Sequence, residues 1–339
     1  MVYSQESAAQ RIQELSRILL EAQHDYYVLA RPSMPDREYD ALMDELCGLE
    51  ERFPVLKAPD SPSQRVGSDL SADFPEVRHT IPVLSLDKAY SAEAVEAWMK
   101  KNVQKKEQSL AYIVEEKIDG VSMVLYYEQG LLVRAVTRGN GEIGNDVTAN
   151  VRTIAAVPLR LPQPLDIAVR GEVYLPKEAF EQLNSSMEVP YANPRNLAAG
   201  SIRRIKSSET ARIPLTIYVY EAFWTHGENP YASHVELLAF LMQLGFRVNP
   251  RLGLFAATRE EADALLVQAG IPDGRSGRFE DIHDYIVDST RERSNLPYEI
   301  DGLVVKVNNL AMREQFGYTE HHPRWALAYK FESPAAQTI

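Results

Sequence analysis

The sequence predicts an α+β fold: a small helical N-terminal domain followed by a larger domain built on antiparallel sheets. Residues 4–53 carry apolar side chains at helical spacing, whereas later apolar runs alternate as in strands and are separated by short turns. Helices fall between groups of strands rather than after every strand. That arrangement favours antiparallel sheets over a doubly wound parallel sheet.

The N-terminal region predicts two helices and a linker. Residues 4–29 form the first helix, because apolar side chains recur there every three or four positions. Two prolines interrupt the pattern in "ARPSMPD", after which Asp36 can cap a second helix that runs to about residue 53. The next stretch is rich in proline, glycine and serine, so we predict a domain of residues 1–70 and a second of 71–339.

The second domain begins with a predicted helix over 91–103. Beyond it, strands are predicted where β-branched and aromatic residues alternate, and helices where apolar residues recur at helical spacing. In chain order the further elements are three strands within 111–141, a strand over 165–176, a helix over 177–187, a strand over 214–224, helices near 233–245 and 258–269, and strands over 298–307 and 324–331.

Composition excludes several classes of protein. The single cysteine, Cys47, excludes a disulfide framework and a four-cysteine zinc site within these 339 residues. No apolar run reaches the roughly 18 residues of a membrane span, and the N-terminus lacks the layout of a signal peptide, so we expect a soluble cytoplasmic protein. A formal net charge of −12 disfavours binding nucleic acid over the whole surface, but it leaves room for a local basic patch or a phosphate-rich substrate.

Common catalytic signatures do not occur in the sequence. There is no GxxxxGK[ST] phosphate loop, HExxH, GxSxG or CxxC. The glycine-rich segment 137–146 follows a predicted strand, but nothing indicates that it opens a helix. A plain loop is therefore the simpler interpretation of that segment than a dinucleotide fingerprint.

Three lysines lie in or at the ends of predicted strands. Lys117 precedes Asp119-Gly120, a turn pair, so a hairpin with a solvated lysine would explain it. Lys306 and Lys330 interrupt apolar strands, where a lysine ordinarily faces solvent. The alternative is that all three converge on one cleft, where their compact charges would suit phosphate.

The motifs in order carry a family resemblance. K-x-D-G (117–120), R-G-E (170–172), D-G-x-V-x-K (301–306) and W-x-x-A-x-K-F (325–331) resemble the covalent nucleotidyltransferases: DNA ligases, RNA ligases and capping enzymes. The segments "HDYYVLARPSMPDREYDALMDEL", "SPSQRVG", "VLSLDKAY", "TRGNGEIGNDVTANVRTI" and "ANPRNLAAGSIRR" are similar to bacterial NAD+-dependent DNA ligases. One departure is Asn140, where the family commonly has aspartate.

The resemblance implies a nucleotidyltransferase adenylation domain and its first chemical step. Lys117 matches the lysine that attacks the α-phosphate of NAD+, releasing nicotinamide mononucleotide (NMN) and forming lysyl-AMP. A free lysine has a pKa near 10.4, so neighbouring positive charge or desolvation must activate it. Lys306, Lys330 and Mg2+ carried on the substrate phosphates, rather than in a protein cage, could supply that charge.

Further roles are implied by position. Glu115 matches the acid that reads adenine. The pocket and AMP contacts match Ser85, Leu86, Arg138, Glu172, Lys306 and Lys330. The NMN site matches Tyr26, Tyr27, Asp36, Tyr39 and Asp40, although Asp36 also suits a helix cap and Tyr39 a core position. Asp119 and Asp301 could orient lysines or metal-bound water, or simply make turns. Arg195 and Arg203 match contacts to DNA phosphates or to the nucleotide, whereas His24 is interpreted as structural.

The expected partners are NAD+ and, in a longer enzyme that acts in replication and repair, nicked double-stranded DNA. The family continues into an OB-fold, a zinc module, helix-hairpin-helix repeats and a BRCT domain. We therefore expect a monomeric adenylation fragment that charges itself with AMP but seals nicks poorly, with zinc confined to the part not included. Two alternatives stay open: an ATP-using RNA ligase or capping enzyme, for which residues 1–70 would have no use, and a non-catalytic binding module.

Overall fold

A computed structural model describes most of the chain. The described residues are 4–23, 33–58, 61–64, 73–104, 110–271, 273–319 and 322–331. Within them, no helix is long and apolar enough to cross a membrane.

The N-terminal region contains the two predicted helices, α1 (Gln5–Gln23) and α2 (Asp36–Arg52). They pack through a small apolar cluster of their own, formed by Ala8, Ile12, Leu15, Leu19, Leu46 and Leu49. Arg11 of α1 also donates to both carboxylate oxygens of Glu45 in α2, at 2.8 and 2.7 Å. The predicted cap is one position off, because Pro35 occupies the N-cap and Asp36 is the first helical residue. The predicted extension of α1 beyond residue 23 lies outside the described residues.

The rest of the described chain is organised around three sheets. A six-stranded sheet has the order β10-β9-β3-β11-β12-β2, a four-stranded sheet has the order β5-β4-β7-β8, and β1 pairs with β6. The strands are β1 (Glu76–Arg78), β2 (Asp87–Ala89), β3 (Tyr112–Ile118), β4 (Val121–Glu128), β5 (Leu131–Thr137), β6 (Ile143–Asn145), β7 (Ile167–Tyr174), β8 (Thr216–Trp224), β9 (Leu252–Ala256), β10 (Arg275–Arg278), β11 (Ile300–Val307) and β12 (Ala326–Lys330).

Helices surround these sheets and complete two large apolar clusters. They are α3 (Ala92–Gln104), α4 (Thr148–Val151), α5 (Lys177–Asn184), α6 (Pro194–Ile202), α7 (Ser207–Thr210), α8 (His234–Gln243), α9 (Arg259–Ala269), α10 (Ile282–Glu292) and α11 (Leu310–Phe316). The α+β prediction is confirmed. The sheets are antiparallel except where β10 pairs with β9 and β2 pairs with β12, both parallel and both at edges of the six-stranded sheet.

The two larger sheets meet at the Asp119-Gly120 turn, which joins β3 to β4. The turn packs so closely on β7 that a Cβ on Gly120 would lie 2.3 Å from the carbonyl oxygen of Val173. The Asp119 N–H donates to the carbonyl of Glu299, just before β11, at 2.9 Å. Lys117, two residues before the turn, is therefore carried by regular strand at the junction of the sheets.

Strand register places the site residues in rows on one face of the six-stranded sheet. Gly302 of β11 is opposite Lys117 of β3 on one side and Lys330 of β12 on the other. Because alternate residues share a face, Glu115 and Lys306 point the same way as these lysines. The β11–β3 register shifts between Ile300 and Gly302, so Asp301 lies at an irregularity of the kind that re-aims side chains.

Gly302 is required by this close packing. A Cβ there would lie 1.9 Å from the carbonyl oxygen of Tyr329, which is backbone and cannot move aside cheaply. We expect Gly302→Ala to lower the free energy of unfolding by about 1–3 kcal/mol through overpacking. Gly48→Ala is the control, because that position in α2 has open space around it; it should stabilise by about 0.5–1 kcal/mol. Denaturant midpoints measure both, and an unchanged midpoint for Gly302→Ala would contradict the assignment.

Candidate active site

Two of the three lysines share one carboxylate. The Nζ atoms of Lys117 and Lys330 lie 2.9 and 2.7 Å from Oδ2 of Asp301. Lys306 instead lies 2.5 Å from Oε2 of Glu115, farther along the same sheet face. The solvated-lysine alternative is wrong for all three, because their side chains are largely buried. Lys306 and Lys117 line the same cavity, in agreement with the predicted convergence on one cleft, and Lys330 joins Lys117 at Asp301.

Asp301 is held ionised by its neighbours. Burial alone would raise its pKa, but Lys117 and Lys330 outweigh burial and keep the pKa well below its usual range. Its Oδ1 atom is buried and has no hydrogen-bond partner among the described residues. The ion pair favours the charged forms of both partners, so Lys117 must leave it before its amine can act as a nucleophile.

Glu115 and Glu116 point to opposite faces of β3, as strand alternation requires. Glu115 faces the cavity; burial would raise its pKa, but Lys306 and His234 lower it to about 2. The Glu116 carboxylate accepts from Tyr298 Oη at 2.7 Å and from Asn249 Nδ2 and Arg251 Nε at 2.8 Å each, although the residue also belongs to the lining of the cavity. Because these three donors occupy the Glu116 carboxylate, Glu115 is the better placed of the two acids to bind a ligand there.

Glu172, on the neighbouring β7, also lines the cavity. Burial raises its pKa to about 7, although the nearby cations Arg195, Lys117 and Arg138 act in the opposite direction. Near neutral pH this carboxyl group can therefore exchange a proton or accept hydrogen bonds. Its predicted role beside a ribose is compatible with that position.

The cavity is lined by both apolar and charged side chains. Leu84, Leu86, Phe223 and Trp325 contribute apolar surface, whereas Glu115, Lys117, Glu172 and Lys306 contribute charge. This combination suits a flat heterocycle attached to a phosphate. Its lining residues are Pro82, Leu84, Leu86, Glu115, Glu116, Lys117, Ile118, Arg170, Glu172, Tyr220, Glu221, Phe223, Val304, Lys306, Tyr318, Pro323, Trp325 and Ala326. Predicted Leu86 is among them, and predicted Ser85 is not.

The remaining predicted residues are scattered around this cavity. Arg195 of α6 donates to Asp119 Oδ1 at 2.9 Å, so Asp119 contacts an arginine rather than a lysine. Arg138 directly follows β5, and its N–H donates to the carbonyl of Ser122 at 3.1 Å. Arg203 lies at the C-cap of α6. The structure therefore brings Arg195 to the active-site turn.

The predicted NMN site is only partly described. Tyr26, Tyr27 and His24 lie outside the described residues, as does the side chain of Asp36. Tyr39 packs against the apolar cluster of α1 and α2. Asp40 of α2 pairs with Lys88 of β2 and accepts from Tyr90 Oη at 2.7 Å.

Two cavity neighbours were missed by sequence reasoning. Tyr220 of β8 places its ring 5.2 Å from the Lys306 ammonium, and His234 at the start of α8 contacts Glu115. Tyr220 looked like any aromatic of an apolar strand, and His234 like any first-turn residue of a helix. Only their proximity to charged groups from distant strands distinguishes them. Among the described residues, no group of three or more His, Cys, Asp or Glu side chains could hold a metal ion.

Comparison with known proteins agrees with this geometry. Residues 71–334 match the family model for the NAD-dependent DNA ligase adenylation domain, and residues 5–67 match the model for the DNA ligase-like, N-terminal NAD+-binding domain. The DNA ligase of Borreliella burgdorferi is 42% identical over 96% of this chain, and that of Desulfitobacterium hafniense is 41% identical over 98%. The chain spans about half the length of these curated relatives, 46% and 48%.

A solved structure of an archaeal ATP-dependent RNA ligase aligns with 78% of this chain and 53% of its own chain, at a TM-score of 0.38 and 15% identity. A likeness this weak carries no inference about cofactor or substrate. The family model, by contrast, covers most of the chain, including every strand that lines the cavity. The chain therefore belongs to the NAD-dependent DNA ligase adenylation domain family.

Proposed function

We propose that this chain adenylates itself: Lys117 attacks the α-phosphate of NAD+, NMN leaves, and AMP stays on the lysine. The observation that carries the proposal is the position of Lys117. It lines the cavity that also contains the Glu115–Lys306 pair, and its Nζ lies 2.9 Å from Asp301, which Lys330 also contacts. Lys117 can thus reach a phosphate while Glu115 and Lys306 hold the base in the same cavity.

The cavity residues have complementary roles in this proposal. Glu115 and Lys306 together offer an acceptor and a donor, which match the exocyclic amine and the ring nitrogen of adenine. Leu86 and Trp325 cover the faces of the ring, and Glu172 accepts from the ribose hydroxyls. Lys330 and Arg138 balance charge on the α-phosphate, where fixed cations are effective because little reorganisation is needed.

The covalent step is a substitution at phosphorus. A bond forms between Lys117 Nζ and the α-phosphorus as the bond from that phosphorus to the bridging oxygen breaks, and NMN leaves with the bonding electron pair. Lys117 must first lose a proton. Asp301 is a poor acceptor because its pKa lies well below the usual range, so the proton leaves to water. Asp301 therefore orients Lys117 and does not deprotonate it, and Lys117 leaves this ion pair when it attacks.

The site also fits a magnesium ion held by the substrate rather than by a protein cage. Mg2+ usually keeps several waters and binds one or two carboxylates together with phosphates. The buried, unpartnered Oδ1 of Asp301 is an acceptor suited to such a water. When bound, Mg2+ would neutralise charge on the phosphates during transfer.

The preference for NAD+ is proposed to reside in residues 1–70, taken as a separate domain from 71–339. Tyr26, Tyr27, Asp36, Tyr39 and Asp40 would surround the NMN half, whose cationic ring suits aromatic faces and carboxylates. The contact of Asp40 with Lys88 and Tyr90 supports this assignment, because it places that carboxylate beside the second domain.

A DNA-sealing role is proposed only for a longer enzyme that includes this chain. There, AMP would pass from Lys117 to the 5′-phosphate of a nick during replication and repair in the bacterial cytoplasm. Arg195 and Arg203 belong to a basic run, "RNLAAGSIRRIK", and phosphate contacts need charge but little sequence. We propose a monomer, because nothing in the reaction requires a second copy.

Intact mass after incubation with Mg2+ and either NAD+ or ATP tests the proposal. We expect one added adenylyl group with NAD+ and none with ATP. Asp40→Ala should slow the NAD+ reaction while leaving AMP binding unchanged, because Asp40 and its contacts with Lys88 and Tyr90 would serve the NMN half and not the AMP half. Addition from ATP alone would indicate the RNA-ligase or capping alternative, and no addition from either nucleotide would contradict self-adenylation.

A further inference from the structure

His234 lies directly behind the carboxylate proposed to read adenine. Its side chain is fully buried, and its Nε2 atom is 3.1 Å from Glu115 Oε2. Lys306 Nζ reaches the same oxygen at 2.5 Å. Glu115 and Lys306 line the cavity, whereas His234 does not. The histidine can therefore act on a ligand only through its two cavity-lining neighbours, Glu115 and Lys306, whose Nζ lies 3.4 Å from Nε2.

The backbone holds His234 firmly against the strands that carry both partners. Its N–H donates to the carbonyl of Asn308 at 2.7 Å, and the next N–H, of Val235, donates to Asn308 Oδ1 at 3.1 Å. Asn308 follows β11, which carries Lys306, and its own N–H donates to the carbonyl of Ala111, just before β3, at 2.8 Å. The imidazole, the carboxylate and the ammonium thus share one rigid frame.

The contact defines which ring nitrogen carries the proton. Burial and the neighbouring cations Arg313 and Lys306 lower the pKa of His234 to about 4, so the ring is neutral at pH 7 and has a single N–H. A carboxylate can only accept a hydrogen bond, and it lies 3.1 Å from Nε2, nearer than the Lys306 ammonium at 3.4 Å, so we assign the N–H to Nε2, where it donates to Glu115. Nδ1 then remains an acceptor, with no partner among the described residues.

Both partners use the same oxygen of Glu115. Within the described part of the chain, every hydrogen bond and ion pair that the structure shows for this side chain falls on Oε2. Oε1 is thereby left for a ligand, beside the Lys306 ammonium. An acceptor next to a donor matches adenine, whereas hypoxanthine places its carbonyl oxygen opposite the carboxylate and its N1–H opposite the ammonium.

We propose that His234 is a positioning residue for purine selection: its Nε2–H holds Glu115 so that Oε1 and Lys306 accept adenine and reject hypoxanthine. This inference rests on the proposed function, since it deepens the role of the same cavity. It concerns binding of the base, however, and not transfer of AMP to Lys117, so the two can be tested separately.

Two variants distinguish the effect of the His234 hydrogen bond from the effect of the volume that its ring fills. In His234→Gln the side-chain amide nitrogen can occupy the place of Nε2 and still donate to Glu115. In His234→Asn the amide is too short and reaches only the place of Nδ1. Both variants remove the ring and leave a polar amide in the same buried site, so a purely structural role of the histidine would affect them alike.

The experiment is calorimetric titration of the whole chain and both variants with AMP and with IMP, below the unfolding temperature of each. The parental chain and His234→Gln should share one preference for AMP, and His234→Asn should lose at least about 10-fold of it, the usual effect of a hydrogen bond to a charged group. The proposal is overturned by an unchanged preference in His234→Asn, by equal loss in both variants, or by no preference in the parental chain.

The adduct measurement on the same samples keeps the two hypotheses apart. Selective AMP binding without an adduct from NAD+ would contradict self-adenylation and leave the role of His234 intact. An adduct from NAD+ together with an unaltered AMP preference in His234→Asn would contradict only the role of His234.

Discussion

Replacing Lys117 with alanine should abolish the adenylyl adduct, because no other amine lies at the same place in the cavity. Lys330 shares Asp301, but it belongs to another strand, on the far side of Gly302. Intact mass after incubation with NAD+ and Mg2+ measures the result. Lys101→Ala, on the exposed side of α3, is the control and should be charged like the parental chain.

Lys117→Arg also tests whether Lys117 is the nucleophile, but it keeps the positive charge of the side chain. A guanidinium can keep the ion pair with Asp301, but it stays protonated at all accessible pH values and is not a nucleophile. We expect a folded protein that binds AMP and forms no adduct. An adduct on this variant at the parental rate, located by peptide mapping on another side chain, would show that Lys117 is not the nucleophile.

Replacing Asp301 with asparagine should produce the second large effect, on both stability and adenylation. The amide cannot neutralise Lys117 and Lys330, so two ammonium groups would face each other in a largely buried site. Removing one partner of a buried ion pair usually costs about 3–5 kcal/mol of unfolding free energy. We expect a loss near the lower end of that range, together with slow adduct formation because Lys117 is no longer oriented.

The contribution of Asp301 to stability can be recognised by its dependence on pH. Its pKa in the folded protein lies below the ordinary value, so its contribution is complete above about pH 4 and is lost as the pH falls further. Denaturant unfolding at pH 7 and pH 3 should therefore show a smaller difference in Asp301→Asn than in the parental chain.

Asp288→Asn is a matched control for this prediction. Asp288 also accepts from two cationic side chains, Arg275 at 2.6 Å and Arg291 at 2.8 Å, but these arginines are exposed. Exposed pairs of this kind contribute little to stability. A similar loss of unfolding free energy in both variants would mean that the ion pairs of Asp301 contribute no more than those of an exposed aspartate.

Strand periodicity predicted much of the site. Alternation along β11 places Lys306 on one face of the strand and Val305 and Val307 on the other, where both valines are fully buried. The same rule, applied to "EEK" (115–117), places Glu115 and Lys117 on one face of β3 and Glu116 on the other. Long, strongly patterned elements such as these could be predicted because burial of one face dictates their residue order.

Features set by distant packing could not be predicted in the same way. The strands β2 ("DKA") and β10 ("RSGR") are short and have no clear apolar alternation. Their sequences therefore could not predict that each pairs with a parallel neighbour. The irregularity at Asp301 depends on the register between two strands far apart in sequence. Likewise, the sequence predicted a phosphate or nucleotide contact for Arg195, but its position 2.9 Å from Asp119 depends on the packing of α6 against the active-site turn.

The separate apolar cluster of α1 and α2 has a consequence for how the molecule opens. Lys117 lies on β3, an interior strand of the six-stranded sheet. The backbone amides of β3 can exchange with deuterated solvent only when that sheet opens. The helical pair holds itself together with six buried side chains and meets β2 through Asp40. We therefore expect the helical pair to open as a small cooperative unit of its own, while the lysine and its cavity keep their shape.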